Sequence, residues 1–201
     1  MNKLFFIIQS ITNPKKVGAI FPSSGFLGDR MVEGVNFQKA KVIVEYGPGT
    51  GVFTEKLLIN RNPQTKVMLV ENNKEFYLLL KEKFKREKNL FIVHGSAENI
   101  GKYLKEYHLP NPDYVISGLP FTSLPKEISQ GILLNTCKIL SKDGQFITFQ
   151  YTKLKKAFIE QFFTKVEVKR ELRNLPPAYI LSCSVDKQME EYDGIKSTYC
   201  G

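Results

Sequence analysis

The residues best placed to do chemistry are two acids that each close an apolar run, with three glycines between them. Glu45 follows the β-branched run Lys41-Val42-Ile43-Val44 and lies in the stretch VEYGPGTGV, Val44 to Val52. Gly47, Gly49 and Gly51 stand at alternating positions, with Pro48 between the first two, and a helix-compatible segment, Phe53 to Leu58, follows. Glycine lets the backbone turn through positive φ and keeps a Cβ out of a ligand's way. A strand, a glycine loop and a helix in that order form a nucleotide-type binding site at the carboxyl end of a sheet. An acid ahead of the glycines suits a ligand with a positively charged end rather than a pyrophosphate. The second acid, Glu71, closes the run Lys66 to Glu71 (KVMLVE). Two further clusters sit after later apolar runs, Gly95-Ser96-Ala97-Glu98 and Ser117-Gly118-Leu119-Pro120-Phe121.

These clusters need strands that end beneath them, and the apolar periodicity supplies such strands. After the first two strands, residues 73–86 place Phe76, Leu79, Leu80 and Phe84 on one helical face. Leu90 to His94 reads as a third strand, 97–106 as a short helix, and Asp113 to Ile116 as a fourth strand beyond the loop at Pro110 and Pro112. A helix over Leu124 to Leu140, a strand over Gln145 to Gln150 and a helix over Lys153 to Phe163 follow. Val166 to Leu172 and Tyr179 to Val185 form a closing strand pair. Strands alternating with helices predict an α/β fold. No internal repeat interrupts it, and 201 residues suit one domain with a full core.

The pattern E-x-G-x-G-x-G, with an acid after the next strand and a third-strand motif, resembles class I S-adenosylmethionine-dependent methyltransferases over roughly residues 40–185. The resemblance implies a Rossmann-like, seven-stranded, mostly parallel sheet flanked by helices, with an antiparallel last strand, here preceded by an N-terminal helical extension. It implies that Glu45 meets the amino end of S-adenosyl-L-methionine, directly or through water. Gly47, Pro48, Gly49 and Gly51 would lie along its methionine and ribose. Glu71 would accept both ribose hydroxyls, which the two oxygens of a carboxylate can do at once. Asn72 would cover the adenine, and Ser96, Ala97 and Glu98 would read its edge. Ser96 stands where the family has an aspartate, so Glu98 is the acid left for the adenine amine. Local readings stand beside these: Glu71 as a strand-end acid, and Ser96 as a helix N-cap with Glu98 in the first turn. A dinucleotide-binding dehydrogenase is the rival reading of the loop, and it wants G-x-G-x-x-G, which is absent here.

Ser117, Gly118, Leu119, Pro120 and Phe121 occupy the place of the family's fourth motif, the acceptor site. In adenine N6-methyltransferases, including ribosomal RNA adenine dimethylases, this motif reads N-[LI]-P-[YF]. Its amide accepts from the target amine and its aromatic ring stacks on the base. Gly118 has no side-chain acceptor. The chain also resembles bacterial phospholipid N-methyltransferases, which carry G-L-P here. It shares their N-terminal signature, Asn13 to Ser24, and their segment Arg173-Asn174-Leu175-Pro176-Pro177-Ala178. Pro22, Ser23 and Ser24 would touch the methionine end of the cofactor. The expected activity is N-methylation of a phosphatidylethanolamine-like headgroup at a membrane surface. An RNA adenine methyltransferase and a non-catalytic cofactor-binding relative are the alternatives. Tyr46, Ser117, Tyr151 and Tyr179 are candidates to accept or relay the amine proton. Phe121 and Phe53 are candidates for cation–π contact to a methylated ammonium. His94 and His108 read as a strand and a loop residue.

A net charge of +9 attracts phosphates, whether of lipid headgroups or of RNA. Leu4, Phe5, Ile8 and Ile11 form one helical face followed by Lys15 and Lys16. That pattern suits an interfacial helix on an anionic membrane, a lid packed on the chain's own domain, or both. Three cysteines without metal-ligand spacing, Cys137, Cys183 and Cys200, read as reduced thiols. No metal is implied. The expected organisation is an N-terminal helix and cofactor lid over 1–39, a methyltransferase domain over 40–186 and a polar tail over 187–201. The expected location is cytoplasmic and peripheral to the membrane, with an anionic membrane or phospholipid as partner and RNA as the other possibility.

Overall fold

The computed structural model describes residues 23–151, 156–173 and 177–186, with side chains at the amino end from Phe26 onward. The N-terminal helix expected over residues 1–12, Pro22 and the tail lie outside the described residues. So do the side chains of Ser23 and Ser24, whose backbone opens the first helix.

In chain order the elements are α1 (Ser23–Val32), β1 (Val42–Tyr46), α2 (Val52–Asn60), β2 (Lys66–Glu71), α3 (Lys74–Lys83) and β3 (Leu90–His94). A 3-10 turn (Ala97–Asn99) leads into α4 (Ile100–Glu106), β4 (Tyr114–Ser117), α5 (Lys126–Ile139) and β5 (Gln145–Gln150). The chain then forms α6 (Lys156–Ile159), β6 (Lys165–Glu171) and β7 (Ala178–Ser184). The seven strands form one sheet in the order β3-β2-β1-β4-β5-β7-β6. Strands β1 to β5 run parallel, and β7 is antiparallel to both of its neighbours.

The sheet takes its place from two apolar faces on the same strands. Side chains alternate along a strand, so Val42, Val44 and Tyr46 enter one core cluster and Ile43 enters the other. The first cluster holds Ile100, Leu104, Ile132, Leu133 and Ile159 from α4, α5 and α6. The second holds Leu27, Met31, Leu57 and Leu80 from α1, α2 and α3. Every residue of β1 is buried, as expected for a parallel strand covered by helices on both sides. Each fully buried leucine or isoleucine contributes roughly 1.5–3 kcal/mol, so this sandwich carries most of the stabilisation. The described part of the segment assigned to an N-terminal lid is thus core: Leu27, Met31, Val32 and Val35 pack on the sheet.

Three local expectations fail. The helix expected over Lys153 to Phe163 is, among the described residues, only the single turn of α6, which ends at Ile159 and runs into a turn over 160–162. Leu79 does not join the buried face of α3; it is exposed, while Leu80 is fully buried and Phe84 nearly so. Strand β6 ends at Glu171, and Leu172 lies past it and is exposed. The period-2 pattern reads Leu172 as inward, but it is Glu171 that turns in, held by Arg30 and Arg173. As an edge strand β6 exposes Lys165 and Lys169, charges that discourage pairing with another chain.

Candidate cofactor and acceptor site

The order of the sheet determines where a ligand can sit. From β1 the chain moves outward to β2 and β3, then returns past β1 to β4 and β5. The chain thus reverses its direction across the sheet between β1 and β4, and in a doubly wound sheet the ligand crevice lies at the carboxyl ends of the strands at such a switch point. Glu45, Glu71, Ser96 and Gly118 all lie at or beyond the ends of β1 to β4.

The loop after β1 is held in shape by backbone bonds. Gly47 N–H donates to the Val70 carbonyl at 3.0 Å, and Gly51 N–H donates to Pro48 at 2.9 Å. Gly47, Gly49 and Gly51 all have positive φ, at 61°, 56° and 85°. A Cβ on Gly51 would lie 2.8 Å from the Phe84 ring, so this position needs both the freedom and the bareness of glycine. A Cβ on Gly49 would meet nothing within 4 Å, because that side of the loop is open. Lys83 clasps the outside of the loop, donating to the Thr50 carbonyl at 2.8 Å and pairing with Glu55.

Glu45 is fully buried and shares the strand face of Ile43, toward α2. Thr54 Oγ1 donates to its Oε2 at 2.6 Å, and its Oε1 has no partner. Burial pushes the carboxyl up to about 8; the Thr54 hydrogen bond opposes this and the nearby Glu71 charge adds to it. The site thus holds an acid that lacks one donor and would become a carboxylate on meeting a cation. Glu71 is nearly buried, and its Oε2 accepts from Gly49 N–H at 3.0 Å and its Oε1 from Asn73 N–H at 2.8 Å. Each oxygen has two lone pairs, so capacity for a diol remains. Asn72 is exposed beside it, and its carbonyl lies 3.2 Å from His94 Nε2. The His94 ring stacks on Tyr77 at 5.2 Å between centroids.

Beyond β3, Ser96 is the N-cap that the local reading expects. Its Oγ caps the 3-10 turn, accepting from Glu98 N–H at 3.3 Å, and donates to Glu98 Oε2 at 3.0 Å. Helix α5 holds Glu98 from behind: Asn135 Nδ2 donates to its carbonyl at 2.7 Å. A Cβ on Gly131 would lie 2.9 Å from Glu98 Oε1. Ala97 is buried beneath the turn.

The loop after β4 passes very close to the glycine loop. Gly118 N–H donates to the Tyr46 carbonyl at 2.9 Å, and a Cβ on Gly118 would stand 2.8 Å from the Gly47 carbonyl oxygen. No side chain fits there without moving main chain. Leu119 covers Gly47 from the other side. Ser117 is fully buried; its Oγ accepts from Leu119 N–H at 3.2 Å and its carbonyl from Thr148 Oγ1 at 3.3 Å. Pro120 turns the chain, its carbonyl accepting from Ser123 and Leu124.

Several aromatic and hydroxyl assignments change. The Phe121 ring is fully buried in the core, edge-on to Phe146 at 6.1 Å, because the loop folds it inward. Tyr46 is also fully buried, with its hydroxyl 3.2 Å from Thr136 Oγ1 and its pKa raised by burial. It faces α5 and is no proton relay at the crevice. Phe53 is half-buried and forms an edge-to-face row with Phe149 and Tyr151, at 6.0 and 5.4 Å. Thr54, Lys83, Gly131 and Asn135 carry no motif of their own, and only packing shows their part. Thr54 is the one with a trace in the sequence, as a hydroxyl in the first turn of the helix after the loop.

The residues present fit S-adenosylmethionine: the bare Oε1 of Glu45 suits its ammonium, the open face of Gly49 its backbone approach, and Glu71 its ribose. This fold with this site defines a class I S-adenosylmethionine-dependent methyltransferase. Its sequence agrees: the model of the ribosomal RNA adenine dimethylase family matches residues 12–157, and the chain belongs to that family. It is 31% identical over 170 residues to the ornithine lipid N-methyltransferase of Singulisphaera acidiphila, covering 83% of this chain and 88% of that one. It is 30% identical over 96 residues to ribosomal RNA small subunit methyltransferase A of Sulfurihydrogenibium, covering 48% of this chain but only 36% of that enzyme. Among solved structures, an O-methyltransferase from Bacillus cereus in complex with SAH overlays with a TM-score of 0.64 at 11% identity, covering 92% and 91% of the two chains.

Proposed function

We propose that this methyltransferase acts on the amine of a lipid headgroup, of the phosphatidylethanolamine or ornithine-lipid kind, at a membrane surface. The observation that carries the reading is the contact of Gly118 with Gly47. The fourth motif has no amide side chain, and at 2.8 Å from the Gly47 carbonyl there is no room for one. A flipped adenine held by that amide therefore has no counterpart here. The near-full-length match to the ornithine lipid enzyme supports the same reading. Among the described residues no helix is long and apolar enough to cross a membrane, so the lipid would be met at a surface.

S-adenosylmethionine supplies a methyl group already activated by its sulfonium. What remains for the chain is to hold a neutral amine in line with that methyl and keep water out. Within the acceptor loop the Ser117, Leu119 and Pro120 carbonyls already accept, from Thr148, Phe121 and the pair Ser123 and Leu124. Among the described residues that leaves the Gly118 carbonyl to take an amine N–H. The proton leaves the amine before or during attack, and Tyr151 and Tyr179, both half-buried, are the remaining tyrosines near the ends of β5 and β7.

The test is transfer of labelled methyl to anionic vesicles containing phosphatidylethanolamine or ornithine lipid, with RNA as the parallel acceptor. Label in the lipid phase is the expected result. Label in RNA would overturn the reading and favour adenine methylation, the activity in the name of the matched family.

A further inference from the structure

Among the described residues, three buried side-chain polar atoms have no hydrogen-bond partner: Glu45 Oε1, Gln150 Nε2 and Ser129 Oγ. The first belongs to the cofactor site, and Ser129 lies in α5. Gln150 is the last residue of β5 and only 3% exposed. Glu45 and Gln150 thus sit near the carboxyl ends of the two strands that flank β4, the strand that leads into Gly118.

The register places Gln150 further. Thr148 pairs with Ser117 across β5 and β4, and Thr148 Oγ1 donates to the Ser117 carbonyl at 3.3 Å. Side chains two residues apart point to the same face, so Gln150 follows Thr148 on that face, about 7 Å further along. That is two residues beyond the level of Ser117, the last residue of β4, on the sheet face that also carries Phe146 and Tyr46. On its other side Gln150 pairs with Tyr179 of β7. A buried amide nitrogen without a partner destabilises a fold, and a glutamine with a purely structural role would be better replaced by an apolar residue of its size. Such exceptions to local consistency gather at functional sites.

We infer that Gln150 is an acceptor-binding residue, supplying from β5 the carboxamide that Gly118 cannot supply from β4. A carboxamide has a carbonyl for an amine N–H and an NH2 for a headgroup oxygen on the same group. Turning it by 180° exchanges the two, so the unpartnered corner serves either contact. An aminoalkyl headgroup with an oxygen a few bonds from its amine matches both halves. This assignment rests on the lipid-amine reading for the substrate but not for the position of the acceptor.

The experiment compares wild type with Gln150→Met and Gln150→Asn. It measures methyl transfer to both vesicles and RNA, cofactor affinity by calorimetry, and melting temperature. Gln150→Met keeps the volume and removes the unpaired amide. The expected result is a melting temperature equal to or above wild type, cofactor Kd within about twofold, and acceptor kcat/KM lower by roughly 10–100-fold. Gln150→Asn keeps the amide but draws it back by one bond. It should lose about tenfold or more, since a displacement near 1 Å at a reacting group is costly. Full activity in either folded variant overturns the assignment, as does a loss of cofactor affinity that matches the loss of activity. Wild-type label in RNA instead of lipid refutes the substrate reading alone. The variant-to-wild-type ratio on RNA then decides the case of Gln150.

Discussion

Raising the pH of the cofactor-free protein from 5 to 8 changes the charge of a group that has no exposure to solvent. Burial holds the Glu45 carboxyl at about 8, far above the 4.5 of an ordinary glutamate. At pH 6 only roughly one molecule in a hundred carries the carboxylate. An ammonium that pairs with the ionised form then binds with an apparent affinity lowered about tenfold for each pH unit below 8, or about 100-fold at pH 6. The ligand's own amine loses its proton near about pH 8, so the rise is confined to the acid side. Calorimetry with S-adenosylhomocysteine, which has the same amino end, would read this in two buffers of different ionisation heat. Nearly one proton should be released per site at pH 6. Glu45→Gln should bind more weakly at pH 8 and show no acid limb. The folding linkage has the matching sign. The folded state holds the proton between pH 4.5 and 8 while the unfolded state has lost it, so cofactor-free stability declines as pH rises through that window. A wild-type Kd flat from pH 5.5 to 7.5, with no proton released, would refute the reasoning.

Gly118→Asn places a Cβ 2.8 Å from main chain; it should cost about 1–3 kcal/mol by thermal melting and abolish transfer, and it should not create methylation of RNA. Gly131→Ala meets only the tip of the Glu98 side chain, so melting should change little while cofactor Kd rises roughly tenfold. Two arginines hold the Glu171 carboxyl down to about 2, so its contribution is present above pH 4.5 and is lost as pH falls through about 2. Glu171→Gln should therefore melt several degrees lower at pH 7, and this gap to wild type should close as pH falls toward 2.

The sheet was legible because its strands are continuous β-branched and apolar runs, and β2, β3 and β5 begin and end where those runs do. The gathering of Glu45, the glycine loop and Glu71 was legible because these groups lie at the ends of successive strands in sequence order. The acceptor side was not, because its geometry depends on how closely one loop approaches another. Nothing in Ser117-Gly118-Leu119-Pro120-Phe121 says that Phe121 turns into the core, since an aromatic after a proline fits a crevice and a core equally well. The clasp of α5 on Glu98 joins residues 98, 131 and 135 across a helix, a strand and a loop, a separation that no local pattern records. Gln150 reads as the polar end of a strand, and only its missing partner marks it.

The placing of β7 has a consequence for how the chain is made. It follows β6 in the chain, yet it lies in the interior of the sheet, between β5 and β6. As the chain leaves the ribosome, β1 to β5 can pair in turn, but β6 has no neighbour until β7 enters beside it. Until then β5 is an open edge carrying Phe146, Phe149 and Gln150, and such edges recruit foreign strands. Insertion of β7 closes that edge and brings Tyr179 beside Gln150 in one event. Methyl transfer should therefore appear only once the carboxyl-terminal hairpin has docked, after the glycine loop and its strand are already in place.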